Sequence, residues 1–306
     1  YLLIFLIFFN IVGCSSHSSV TSHENVIDKI QEIVDTVPGE VGIAFFYTSS
    51  TGERDSILIN NDTRYALMSV FKLHEAIAVI NKLENDRTSI DSTIWLKRDN
   101  LDANTWSPML TDYKEPKFGI TIRDLLRYAI TQSDNNASNI LFEHIISPQK
   151  TNQLLKSILS DTDFNISCSE KEMQKKHELC FENYSSPASA ALLIEKVFED
   201  SLISEKNQYF LQDLLLTSTI GQDRIGTPVS KNDKIRFGHK TGSGYRNENG
   251  ELLAYNDVGY FDYPDKYHYT LAVFIKNYKG PESQASEIMA NISTVLYNYV
   301  NSKIPQ

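Results

Sequence analysis

The chain has 306 residues, of which 41% are hydrophobic and 22% charged, with a formal net charge of -10 and a pI near 5.2. That is the composition of an ordinary globular protein, and its acidic balance argues against nucleic acid or anionic lipid as partners, since both need basic patches. Its seven His are scattered, with no pair at i, i+4 on a helix beside a third ligand, so no metal is expected.

Residues 1–13 form an apolar run too short for a membrane-spanning helix, which takes about 20 residues, but suited to the h-region of an export signal. Ile11-Val12-Gly13-Cys14 loosely has the form of a bacterial lipoprotein signal, although Val12 is larger than usual. A match implies cleavage before Cys14, a lipid on its sulfur and an exported protein at the periplasmic face of a bacterial membrane. An ordinary leader cleaved nearby is the alternative. The chain lacks an initial Met and a basic stretch, as though it began inside the leader. Residues 14–24, polar and Ser-rich, then read as a tether.

A single unit of residues 25–306 follows. Val26 to Val37 is an amphipathic helix, and Val41 to Tyr47 and Ser56 to Asn60 are strands around the turn Ser49-Ser50-Thr51-Gly52. Apolar residues repeating at three or four then predict helices over Val70 to Leu83, Ile122 to Ile130, Ala137 to Ile146, Thr151 to Leu159, Ala188 to Phe198 and Tyr209 to Leu216. Ile235 to Lys240, Leu253 to Tyr263 and Tyr269 to Tyr278 are three more strands, and Ser283 to Val300 is a closing helix. The result is a mixed α/β (α+β) fold. An antiparallel sheet is built from both ends of the chain (25–60 and 221–306), covered by the terminal helices, with an all-α lobe (61–220) inserted.

Three short motifs stand in order along this plan: Ser69-Val70-Phe71-Lys72, Ser133-Asp134-Asn135 and Lys240-Thr241-Gly242. Ser-x-x-Lys alone should occur about twice by chance in a chain like this one, and Ser147-Pro148-Gln149-Lys150 is such a second copy, with no other motif arranged around it. Ser69 precedes an apolar helix, where free N–H groups and the positive dipole end favour a developing anion. Lys72 lies one turn on along the same face, within reach of the hydroxyl. Ser133 and Asn135 fall at a helix junction that can aim polar groups into a cleft, with Asp134 bonding nearby backbone to fix the turn. Ser133 would pass a proton to a departing amine, and Asn135 would bond a substrate amide. Lys240 and Thr241 offer a cation and a hydroxyl to a carboxylate, and Gly242 lets a ligand lie along the strand edge.

The ordered set resembles that of class A serine β-lactamases and penicillin-binding proteins, and with it the chain after the leader resembles class A throughout. Glu170-Lys171-Glu172-Met173-Gln174 is similar to the omega-loop segment that class A enzymes carry and penicillin-binding proteins lack. The resemblance implies that Glu170 activates the hydrolytic water, with Gln174 helping to place it; Glu172, two residues on, competes for the assignment. Met173, Gln174, and Asn183 at the place of a loop-pinning Asp resemble the class A branch with an altered omega loop, the cephalosporinases and extended-spectrum enzymes.

Trp106 matches the aromatic at the family's cleft mouth, and Arg224 the Arg that reaches the substrate carboxylate. The backbone N–H groups of Ser69 and Ser243 would bind the oxyanion. The implied function is hydrolysis of small-molecule β-lactams, cephalosporins and penicillins, by a monomer through a Ser69 acyl-enzyme that requires no cofactor. Lys72 or Glu170 takes the Ser69 proton. A D-alanyl-D-alanine peptidase and a non-catalytic β-lactam receptor are the alternatives. Cys168 and Cys180 bracket the segment that resembles the omega loop, where either a disulfide or two thiols would fit an exported protein.

Overall fold

The computed structural model describes residues 23–159 and 162–304. Cys14 and the expected export signal lie outside them.

The elements run α1 (His23–Asp35), β1 (Glu40–Ser49), β2 (Arg54–Ile59), β3 (Tyr65–Ala66), α2 (Phe71–Asn85), β4 (Thr93–Lys97), α3 (Met109–Asp112), β5 (Lys117–Thr121), α4 (Ile122–Thr131), α5 (Asn135–His144) and α6 (Pro148–Ile158). They continue with β6 (Phe164–Asn165), α7 (Glu170–Lys175), β7 (Tyr184–Ser185), α8 (Pro187–Glu199), α9 (Glu205–Leu216), β8 (Arg236–Ser243), β9 (Tyr255–Tyr263), β10 (Tyr267–Lys276) and α10 (Glu282–Ser302). Helix α1 opens at His23, so residues 23 and 24 belong to it and not to the expected tether.

The main sheet has the order β2-β1-β10-β9-β8, and its neighbours pair antiparallel. Both faces are covered, which is why β10 is almost continuously apolar instead of alternating. Its side chains still divide by parity, as the pleat requires. Tyr269, Leu271, Val273 and Ile275 join one core with Val26 and Ile30 of α1 and Met289, Ile292 and Leu296 of α10. Ala272 and Phe274 join the other core, with Ala190, Leu193 and Ile194 of α8.

That second core extends into the inserted lobe, whose centre is α2. From Phe71 to Ile80 every residue of this helix is buried. Such a helix is expected to be apolar all round, yet Lys72, His74 and Glu75 lie in its buried stretch.

The lobe is not all-α. β4 pairs with β5, and β3, β7 and β6 form a second small sheet. The latter strands have two residues each, too short for any period to show. β4 alternates in burial, but only five residues of half-exposed alternation carry little signal.

Cys168 and Cys180 are both buried free thiols. The segment between them is held by Asn183 instead. Its Oδ1 accepts from Ser167 N at 2.8 Å and Cys168 N at 3.0 Å, and its Nδ2 donates to Cys168 O at 2.7 Å. The same residue's carbonyl accepts from Leu67 N at 2.8 Å, tying the segment to the turn before Ser69.

Candidate active site

Ser69 lies in a 3-10 turn, Met68–Val70, that runs straight into α2 with no side-chain cap. Met68 takes a left-handed φ of 47°, a conformation that a residue with a Cβ adopts only when its surroundings enforce it. Two neighbours do so. Asn256 Nδ2 donates to Ala66 O at 2.8 Å. Gly242 at the end of β8 lies against the turn so closely that a Cβ there would fall 2.4 Å from Leu67 O and 3.2 Å from Val70 N. Gly242 therefore has to be Gly for the sheet edge to reach Ser69.

Lys72, with 0% of its surface exposed, is saturated with acceptors. Its Nζ lies 3.1 Å from Ser69 Oγ, 2.8 Å from Ser133 O, 2.6 Å from Asn135 Oδ1 and 3.1 Å from Glu170 Oε1. A buried ammonium needs such a shell, because desolvation costs several kcal/mol unless each proton finds a partner. Ser69 Oγ donates to Glu170 Oε1 at 3.1 Å. Hydroxyl, ammonium and carboxylate thus form a triangle drawn from two parts of the chain, the start of α2 and the start of α7.

Glu170 and Glu172 open α7 and separate cleanly. Ser169 is the N-cap, and Glu172, at the third helical position, closes a capping box. The Glu172 Oε2 accepts from Ser169 N and from Ser169 Oγ, each at 2.8 Å. Glu172 is thereby committed to the helix end, while buried Glu170 faces Ser69.

Ser133 holds a left-handed φ of 57° at the junction of α4 and α5. Asp134 is the N-cap of α5, accepting from Ala137 N and Met109 N at 2.8 Å and from Ser107 Oγ at 2.9 Å. Burial raises its carboxyl above the usual range. This cap fixes the strained turn, so that the Ser133 hydroxyl accepts from Lys240 Nζ at 2.9 Å. Lys240 is fully buried, and that desolvation, then the charge of Lys72, pushes its amine well below the usual lysine value.

Arg224, only 4% exposed, reaches the end of β8 from behind. Its Nη2 donates to Ser243 Oγ at 2.7 Å and its Nη1 to Asn256 O at 2.8 Å, while its Cζ lies 3.7 Å from the centre of the Tyr255 ring. Ser243 is exposed and Thr241 buried, so the Ser243 hydroxyl is the exposed one held by Arg224, a use that its expected backbone role did not include.

Trp106 is 58% exposed, with Nε1 donating to Gln132 O at 2.9 Å, and it stands over the α4–α5 junction. Gln174 departs from expectation. Its Nε2 donates to Thr105 Oγ1 at 2.6 Å, which directs it to the rim, and it reaches the site only indirectly, since Asn135 Nδ2 donates to the same hydroxyl at 2.8 Å. Nothing in the sequence marks Thr105 for this bridging role.

A hydroxyl touching both an ammonium and a carboxylate, next to a second hydroxyl on a buried lysine, is a constellation for acyl transfer and hydrolysis. The chain belongs to the β-lactamase enzyme family, whose pattern matches residues 25–300. It is 43% identical to a β-lactamase of Phocaeicola vulgatus, over 89% of this chain and 83% of that one. It is also 26% identical to an extended-spectrum β-lactamase of Pseudomonas aeruginosa, over 96% and 93%. Among solved structures, a class A β-lactamase from Bacteroides cellulosilyticus superposes with a TM-score of 0.83 at 27% identity, over 92% of this chain and 98% of that one. Within the family the protein is a class A serine β-lactamase.

Proposed function

We propose that this enzyme hydrolyses cephalosporins and penicillins through an ester on Ser69, and so confers resistance to them. The observation that carries the mechanism is the 3.1 Å contact of Ser69 Oγ with Glu170 Oε1, with Lys72 Nζ 3.1 Å from each. Ser69 Oγ attacks the lactam carbonyl carbon as its proton passes to Glu170, or to Lys72 once Lys72 is a neutral amine. The N–H groups of Ser69 and Ser243 receive the oxyanion. The C–N bond then breaks as the ring nitrogen takes the proton of Ser133, which Lys240 holds in place, and the proton that left Ser69 replaces it on Ser133. Water attacks the ester, Glu170 accepts its proton, and Ser69 leaves with its hydrogen restored.

Trp106 borders the substrate rings, Asn135 bonds the side-chain amide, and Lys240, Thr241, Ser243 and Arg224 receive the carboxylate. Gly242 supplies the close strand edge. Gln174, through Thr105, supports Asn135.

Support for export as a lipid-anchored monomer comes from the sequence around Cys14 and from a site completed within one chain. Cys14→Ser should move the protein from the membrane fraction to the soluble one.

The deciding experiment is steady-state hydrolysis of a chromogenic cephalosporin, with mass spectrometry of the protein. Turnover by the parent and an accumulating adduct in Glu170→Ala are expected. A stoichiometric adduct without turnover in the parent would instead make it a peptidase or a receptor.

A further inference from the structure

Behind the catalytic face, β8 and β9 carry a buried pair that the hydrolytic steps do not use. His239 is 1% exposed and Asp257 0%. The His239 Nδ1 lies 2.9 Å from Asp257 Oδ1 and 3.2 Å from Oδ2. On the other side of the ring, Nε2 lies 3.3 Å from Gln222 Nε2. With Nδ1–H donated to the carboxylate, Nε2 keeps its lone pair and accepts from the Gln222 amide. Gln222 also donates to Ser218 O at 2.6 Å, so it pins a short turn to the back of the strand.

That turn is the one that delivers Arg224. Gly221 has a left-handed φ of 80°, and a Cβ there would fall 2.6 Å from Thr241 Cγ2 and 3.1 Å from Arg224 Nε. Arg224 N donates back to Gly221 O at 3.1 Å. The guanidinium then crosses to Ser243 Oγ and Asn256 O, and Asn256 is the chain neighbour of Asp257. Asp257 and His239 are thus linked through the Gln222 side chain to the 221–224 turn, and Arg224 returns from that turn to the ends of β8 and β9.

We propose that His239 and Asp257 are positioning residues for the substrate carboxylate: through Gln222 they hold the 221–224 turn so that Arg224 meets Ser243 at the strand edge. The inference rests on Arg224 serving the carboxylate. Precise placement matters because a guanidinium binds a carboxylate through a directional pair of hydrogen bonds, and a small rotation of its turn weakens both. Ser69, Lys72 and Glu170 lie in other segments and share none of these hydrogen bonds.

The test compares a chromogenic cephalosporin with the same molecule methylated at its ring carboxylate, using Gln222→Ala, Asp257→Asn and Arg224→Ala, each checked by thermal melting. Gln222 is exposed, so its truncation leaves the fold intact and keeps the test decisive even if Asp257→Asn unfolds. Gln222→Ala and Asp257→Asn should raise KM for the free acid by roughly five- to tenfold, the size of a weakened charge-assisted hydrogen bond, with kcat within about twofold and no change for the ester. Arg224→Ala should show a larger loss with the same selectivity. Equal effects on acid and ester, or no effect on either, while Arg224→Ala stays selective, would overturn the positioning role alone. An unselective Arg224→Ala would show that Arg224 does not serve the carboxylate, and the inference would fall with it.

Discussion

Ser69 and Ser147 each stand three residues before a lysine and at the entry to a helix, yet one faces the cleft and the other closes a helix end. Ser147 has extended backbone angles (φ -71°, ψ 159°) and is the N-cap of α6, its Oγ accepting from Lys150 N. Lys150 is exposed. Ser69 lies inside a continuous turn with no capping bond, so its hydroxyl is left for Lys72 and Glu170. The lesson is that a cap consumes the hydroxyl that a nucleophile must keep. α7 repeats the contrast two residues apart, with Glu172 spent on a capping box and Glu170 turned inward.

The most severe way to sharpen that contrast is to remove both hydroxyls. Ser69→Ala should cut turnover by about 10⁴-fold or more and abolish any adduct, whereas Ser147→Ala should leave turnover intact and cost about 1 kcal/mol of stability. Steady-state rates and thermal melts decide it. A comparable loss of rate in both would break the comparison.

Next come the two glutamates. Glu170→Gln should slow turnover by about 10³-fold with acyl-enzyme visible by mass spectrometry, and Glu172→Gln should mainly lower stability by about 1 kcal/mol. Similar adducts in both variants would contradict the separation of roles.

Asn183→Ala should cost about 2–4 kcal/mol, because it orphans the half-buried Ser167 N–H and the buried Cys168 N–H and carbonyl. Deacylation should slow more than acylation, since the loosened segment carries Glu170, and single-turnover kinetics would separate the two steps.

The smallest effects are those of pH. Lys240 loses its charge below the usual lysine value, so KM for carboxylate-bearing substrates should climb with pH well before about 10.4. In that window the unfolded chain binds the proton that the folded one has released, so this residue makes stability rise with pH while binding weakens. His74 acts in the same direction in an acid window. Burial pushes its pKa down to about 3, so the unfolded state binds its proton first, and stability falls as pH drops from the ordinary value of about 6.5 towards 3. Urea titrations at several pH values would show both slopes, and flat ones would contradict them.

Much of this was legible in the chain. The long strands announced themselves through β-branched and aromatic runs, the helices through their period, and the ordered motifs through residue types that only a shared cleft makes useful together. β4 and the two-residue strands β3, β6 and β7 were not, because so few residues carry no periodicity. Nor could sequence decide between a bridge and two thiols at Cys168 and Cys180, where Asn183 holds the segment instead.

The sequence by itself determined which groups could react, since nucleophile, ammonium, carboxylate and strand-edge Gly are matters of residue identity and order. Only the tertiary structure decided which of two equivalent residues does so. Glu170 over Glu172, Ser69 over Ser147, and the path of Arg224 through Ser243 each depend on a hydrogen bond made or left unmade by neighbours far apart in the chain, and no local spacing encodes such a partner.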